Sequence, residues 1–153
     1  MPHFEDHHPV RHRAEDLFAL VADIERYPEF VPLCQSLVIR NTRQRRGRDI
    51  LIADMTVGYK AIRETFTCQV VLDGESNTIT ASYIDGPFRF LENRWHFEKT
   101  GERSSIIHFV LDYEFKSRAL ASLMGAMFDR AFAKFVSAFE ARADELYGKQ
   151  EEN

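Results

Sequence analysis

Residues 117–147 read SRALASLMGAMFDRAFAKFVSAFEARADELY, and this stretch decides the fold. Phe128, Phe132, Phe135 and Phe139 step by four, three and four, so on a helix they stack on one face. Leu120, Met124, Met127, Ala131 and Leu146 widen that face beyond a coiled-coil seam. No proline interrupts the run, and Gly125 is its one weak helix former. The spacing predicts one helix over 117–147, about 45 Å long at about 1.5 Å per residue. A helix this apolar on one side must bury that side against another element.

The chain before it supplies a sheet. From Gln35 to Lys116 the hydrophobic period is two. Leu37 and Ile39 alternate first. Leu51, Ala53, Met55, Val57 and Tyr59 then share one strand face, and Ile62, Phe66, Cys68, Val70 and Leu72 the next. Ile79, Ala81 and Tyr83 follow, then Leu91, Asn93, Trp95 and Phe97. Ile107, Phe109, Leu111, Tyr113 and Phe115 alternate most cleanly, against His108, Asp112 and Glu114. Asp73-Gly74, Asp85-Gly86-Pro87 and Thr100-Gly101-Glu102 mark turns between them. This pattern predicts about six antiparallel strands, or about seven with a first strand over residues 3–10 anchored by Phe4. No βαβ alternation is present, which excludes a doubly wound parallel sheet.

Between the first strand and the meander, residues 13–24 read as a short helix. Glu15 and Asp16 sit in its first turn and Leu17, Phe18, Val21 and Ile24 form its buried stripe. Residues 26–34 then read RYPEFVPLC. Pro28 and Pro32 enforce a rigid elbow with room for one short helical turn, and Tyr27, Phe30, Val31 and Leu33 make it strongly apolar. Such an elbow is either a loop packed on the core or the rim of a cavity.

Composition narrows the function classes. The chain has 153 residues, 44% of them hydrophobic and 29% charged, enough to bury a core as one domain over 1–147 with a frayed tail over 148–153. A net charge of −4 argues against a DNA binder or a general nucleic-acid binder. Five arginines, Arg40, Arg43, Arg45, Arg46 and Arg48, nevertheless surround Gly47 at a hairpin tip. They form either a solvated turn or a small contact for RNA or lipid headgroups. Cys34 and Cys68, the only cysteines, read as free buried thiols of a reducing compartment. No stretch approaches the roughly 18 apolar residues a membrane-spanning helix needs, and no apolar signal core opens the chain. The expected location is cytoplasmic, with a peripheral contact at the inner membrane left open.

Chemistry-bearing constellations are sparse. His3, His7, His8 and His12 crowd the first strand, but no cysteine or second-strand carboxylate completes a metal pattern. No nucleophile elbow and no glycine-rich phosphate loop is present. Asp54, Glu64, Glu92 and Asp112 lie on strands; one facing an apolar pocket would be a candidate acid or base, whereas cross-strand pairing with Arg63, Arg89 or Arg94 would make them structural. No catalytic residue, metal or cofactor is expected.

The order of strand, helix, proline elbow, antiparallel meander and long final helix resembles the helix-grip, START-like superfamily, which includes polyketide cyclases. YPEFVPLC (27–34) is similar to the Tyr-Pro-x-Phe-hydrophobic-Pro-x-Cys signature of the coenzyme Q-binding family, also called the ribosome-association toxin family in bacteria. VGYKAIRETF (57–66) and GPFRFL (86–91) followed by Trp95-His96-Phe97 resemble two further stretches of that family. The resemblance runs from about residue 3 to 147. It implies an α+β helix-grip fold, in which a curved antiparallel sheet of about seven strands wraps a long C-terminal helix, with two short helices after the first strand.

The resemblance also implies a cavity between sheet and helix for a hydrophobic ligand. The first expectation is a non-catalytic ubiquinone or polyprenyl quinone carrier or chaperone supporting respiration, with the quinone as ligand rather than redox cofactor. Candidate lining and rim residues are Tyr27, Phe30 and Val31 on the elbow, Met55, Tyr59 and Phe66 on the central strands, and Leu91, Trp95, Phe109 and Tyr113 beyond. Met124, Met127, Phe128 and Phe132 complete the set from the helix. The elbow, or Phe88 and Phe90, would dip into a bilayer during exchange. The alternatives are a ribosome-association inhibitor contacting the large subunit through Arg40–Arg48, and a polyketide cyclase-like enzyme.

Overall fold

Alternation of apolar and polar side chains becomes a seven-stranded antiparallel sheet in the computed structural model, which describes residues 3–59 and 61–148. The frayed tail expected beyond Gly148 lies outside the described residues. The strands are β1 (His3–Val10), β2 (Cys34–Arg45), β3 (Arg48–Tyr59), β4 (Ile62–Asp73), β5 (Thr78–Asp85), β6 (Phe88–Gly101) and β7 (Ser104–Phe115). Their order across the curved sheet is β1-β7-β6-β5-β4-β3-β2. Every sequential neighbour from β2 to β7 pairs by a hairpin, and β1 returns to close the far edge on β7. Strand β7 is buried at every second residue from Ser105 to Phe115, as its sequence requires.

The turns follow the backbone rules. Arg46 and Gly47 take φ of 54° and 79° between the paired Arg45 and Arg48, the left-handed pair that a two-residue hairpin needs. The last hairpin turns later than the sequence suggests. Gly101 is still paired with Ser104 through a register shift, so the turn falls on Glu102 and Arg103.

Helix α1 (Ala14–Ala22) buries Ala14, Leu17, Leu20 and Val21. A 3-10 turn over Ile24–Glu29 follows, with Pro28 inside it, so both short helices expected after β1 are present.

The long C-terminal helix is two helices, not one. Helix α2 (Arg118–Ala133) starts on Ser117, whose Oγ accepts the Leu120 N–H at 3.1 Å. It ends at Lys134, whose N–H turns back to the Ala131 carbonyl at 3.1 Å in a tight three-residue bond. Helix α3 (Phe135–Tyr147) then sets off afresh. The backbone of α2 runs against β7 and that of α3 against α1 and β1, while aromatic side chains of both reach the sheet, Phe132 to Phe4 and Phe139 to Trp95. Hydrophobic spacing is the same on both sides of Lys134, so periodicity alone carries no sign of the break.

The core between sheet and helices is largely aromatic. Phe88 sits fully buried with ring centroids of Phe66, Tyr83, Phe115 and Phe128 within 5.0–5.8 Å. This corrects the expectation that Phe88 reaches a bilayer: it is central to the core. Trp95 packs on Phe109 at 4.8 Å and Phe139 at 4.9 Å. Offset and edge-on pairs of this kind add about 0.5–1.5 kcal/mol each beyond burial.

A candidate ligand cavity

Helices α2 and α3 do not fill the concave face of the sheet completely. A cavity of about 120 Å³ remains between them, the elbow and strands β2 to β7. Its floor is the inward row of the sheet, including Ala53, Met55, Phe66, Cys68, Val70, Ala81, Leu91, Asn93, Trp95, Phe109 and Leu111. Its roof is Phe128, Ala131, Phe132, Phe135 and Phe139, and its side is Ile24, Tyr27, Pro32 and Leu33 of the elbow. Leu33 holds φ of 67°, a left-handed conformation that is strained for leucine and that aims its side chain at the cavity.

Of the residues singled out from sequence, Tyr27, Met55, Phe66, Leu91, Trp95, Phe109, Phe128 and Phe132 line this space. The others do not. Met124 is fully buried core at the start of α2. Tyr113 is also fully buried, and its hydroxyl donates to Asp129 at 2.9 Å, tying β7 to α2. Val31 is buried behind the elbow, and Met127 lies half-buried along α2. Tyr59 is 49% exposed at the end of β3. Phe30 faces α3, with its ring 5.0 Å from Phe139 and beneath the Arg142 guanidinium. A period-two or period-four pattern assigns a face, but not the depth at which the face meets empty space.

Among the lining residues that sequence reasoning passed over, Asn93 is the amide. Its signal was available: one amide between Leu91 and Trp95 on an otherwise apolar strand face. Its Nδ2 donates to the Val110 carbonyl at 3.0 Å.

Among the described residues the carboxylates and histidines lie elsewhere. Asp54 accepts from Thr67 Oγ1 at 2.6 Å and pairs with Arg40; the Thr67 hydrogen bond leads in holding its carboxyl below the usual range. Glu92 pairs with Arg94 at 3.4 Å, and Asp112 pairs with His3. Neither they nor Glu64 line the cavity. His8 and His12 bond Glu140 and Asp144 on α3, each at 2.7 Å, while His7 meets His108 at 2.6 Å and Glu5 at 2.8 Å. Among the described residues no group of three or more His, Cys, Asp or Glu is arranged to hold a metal ion. Burial pushes the Cys68 thiol up to about 12 and the Cys34 thiol to about 11, and both are free. Burial also raises the Tyr27 hydroxyl far above its ordinary value; it donates to the Val21 carbonyl at 2.5 Å, away from any proton-transfer role.

This fold and this cavity define a class. Residues 10–140 match the family described as polyketide cyclase / dehydrase and lipid transport, and the chain belongs to that family. Among its relatives, the ribosome association toxin RatA of Vibrio cholerae is 31% identical over 92% of this chain and 94% of that protein. The mitochondrial coenzyme Q-binding protein COQ10 of Dictyostelium discoideum is 30% identical over 91% of this chain and 67% of that protein. The solution structure of an 18 kDa Caulobacter crescentus protein superposes with a TM-score of 0.78 at 33% identity, covering 97% and 99% of the two chains. The Zhui aromatase/cyclase superposes with a TM-score of 0.80 at 14% identity, again over 97% and 99%, which is a likeness of fold alone. No helix among the described residues is long and apolar enough to cross a membrane.

Proposed function

We propose that this protein is a non-catalytic carrier or chaperone for a hydrophobic ligand, with a polyprenyl quinone such as ubiquinone as the candidate. The observation that carries this reading is the cavity's composition. Among the described residues Asn93 is the only amide in its lining, and no carboxylate or imidazole reaches it. A site of this kind binds by apolar transfer and offers no carboxylate or imidazole for a cyclase-type proton transfer. The COQ10 relative supports the choice of quinone. On this reading the protein works in the cytoplasm, touching the membrane peripherally when it exchanges ligand, with the quinone as cargo and no redox cofactor.

Trp95 is the only tryptophan and it lines the cavity, so its emission reports occupancy directly. Titration with a short-chain ubiquinone should quench it saturably, with a dissociation constant in the micromolar range or tighter after association costs. Organic extraction of protein purified from a quinone-producing host should yield the same ligand near one to one. Absence of both would remove the carrier reading.

One observation favours a second reading. Arg40 and Arg48 of the β2–β3 hairpin are paired with Asp54 and Asp73, but among the described residues Arg43, Arg45 and Arg46 have no carboxylate partner. Three uncommitted guanidiniums at an exposed tip suit a phosphate backbone, and the RatA relatives carry a ribosome-directed name. Co-sedimentation with large ribosomal subunits that weakens steeply with salt, and is lost when the three arginines become Glu, would support it. Binding untouched by those changes would dismiss the hairpin.

A further inference from the structure

Asn93 stands at the centre of the cavity floor. Its pairing partners are Ala81 on β5 and Leu111 on β7, and its neighbours along β6 on the same face are Leu91 and Trp95. All four line the cavity with it, and all are apolar. A polar side chain in such a place costs free energy unless its hydrogen bonds are made, on the order of 1–3 kcal/mol. The bond from Nδ2 to the Val110 carbonyl uses one of its donors and fixes the amide. A primary amide has a second N–H and a carbonyl oxygen besides. Leucine or valine would complete the row without that cost, so the amide calls for a role that packing does not supply.

The size of the space narrows that role. An apolar cavity of roughly 150 Å³ admits one benzene ring, and this one measures about 120 Å³. The space is therefore on the scale of a single ring and far too small for a tail of several isoprene units. Ala81 beside Asn93 leaves the floor low there, and Trp95, Phe109, Phe132 and Phe135 wall the same space with aromatic surface.

We infer that Asn93 is the polar anchor for the ligand: an oxygen-bearing aromatic or quinoid ring enters the cavity, its ring oxygen hydrogen-bonded to the Asn93 amide, and its apolar tail points outward. This rests on the carrier reading and deepens it. The amide donates through its remaining Nδ2 proton to a carbonyl or accepts through Oδ1 from a hydroxyl, so the quinone and the hydroquinone both satisfy it. Ring oxygens, not tail length, set the preference.

The test compares 2-decyl-1,4-benzoquinone with decylbenzene, which has the same tail and a ring without oxygens, by calorimetry on the wild-type protein and on Asn93→Leu. Wild type should prefer the quinone about ten- to a hundredfold, the ratio that leaving a lining polar group without its partner implies. Asn93→Leu should lose that preference and bind decylbenzene at least as well as before. An unchanged preference in Asn93→Leu overturns the anchor while leaving the carrier reading standing; wild type binding neither compound overturns both. Infrared spectra of the wild-type complex avoid dependence on a variant that folds poorly. The bound quinone's carbonyl stretch should fall below its value in hydrocarbon solvent, and a stretch at the hydrocarbon value overturns the anchor.

Discussion

Arg142 on α3 donates a guanidinium N–H to Glu29 of the elbow at 2.5 Å, with the same guanidinium 5.1 Å from the centre of the Phe30 ring. The Arg142 side chain is only 18% exposed while Glu29 stays in solvent, so the cationic end of this contact between the last helix and the segment that walls the cavity is the end held out of water. Together with the edge-on packing of Tyr27 and Phe30 against Phe139, it closes the elbow onto α3.

Replacing Arg142 with Met should loosen the elbow without opening the sheet. The charge-assisted bond and the cation–π contact are lost while the apolar stem is kept. Amide hydrogen exchange should accelerate over residues 24–33, while β6 and β7 keep their protection. Ligand release should quicken several-fold in stopped-flow quenching of Trp95. Unchanged exchange in the elbow would show that its prolines and aromatic packing hold it unaided.

The same pair predicts an acid limit. The hydrogen bond from Arg142, and then that from Arg26, holds the Glu29 carboxyl below its ordinary value. A carboxyl lowered on folding contributes stability at pH above its unfolded value of about 4.3, and loses it as pH falls through the lower folded value. The melting temperature should therefore drop as pH falls below about 5, and less steeply in Glu29→Gln. Glu29 is exposed, so its share is modest; Asp54 and Glu5 are lowered in the same direction and add to it.

Cys34 and Cys68 should be inert while the protein is folded. With thiols raised to about 11 and 12 by burial, almost no thiolate exists at pH 8. Iodoacetamide at pH 8 should leave both unmodified over a time that labels them fully in denaturant, read by intact mass. Rapid native labelling of Cys68 would mean that the cavity floor opens to solvent.

Two glycines should behave oppositely. Gly86 has φ of 142°, and a Cβ there would lie 2.6 Å from Phe66 Cβ and 2.9 Å from its Cα, so Gly86→Ala strains the turn and the aromatic core beneath it. Its melting temperature should fall by many degrees, a cost of several kcal/mol. At Gly58 the nearest atoms belong to the side-chain end of Gln35, which can swing away, so Gly58→Ala should be near neutral. Thermal melts of the two variants side by side check this.

Much of the architecture was legible because its determinants are local. Ile107 to Phe115 could only be a half-buried strand, and the hairpins at Gly47, Asp73-Gly74 and Gly86 were marked by residues that tolerate left-handed or tight turns. The α-helical period of Phe128, Phe132, Phe135 and Phe139 predicted the element that caps the sheet. The break at Lys134 was not visible, because its residues are ordinary helix formers and the apolar spacing runs through it unchanged.

The candidate site divides the same way. The motif in YPEFVPLC identified the elbow, but Tyr27, Pro32 and Leu33 line the cavity while Phe30 and Val31 are turned to α3 and the core. Periodicity reports only which face of an element is apolar. Whether that face meets another side chain or empty space depends on how curved layers fit, and that is a property of several elements at once. The sequence by itself determined the strands, the hairpins, the helical segments and the apolar sense of the interior. Only the tertiary structure decided where the helix breaks, which aromatics surround the space, and that one amide, Asn93, lies in its floor. Those depend on packing between residues far apart in the chain, which no local pattern encodes.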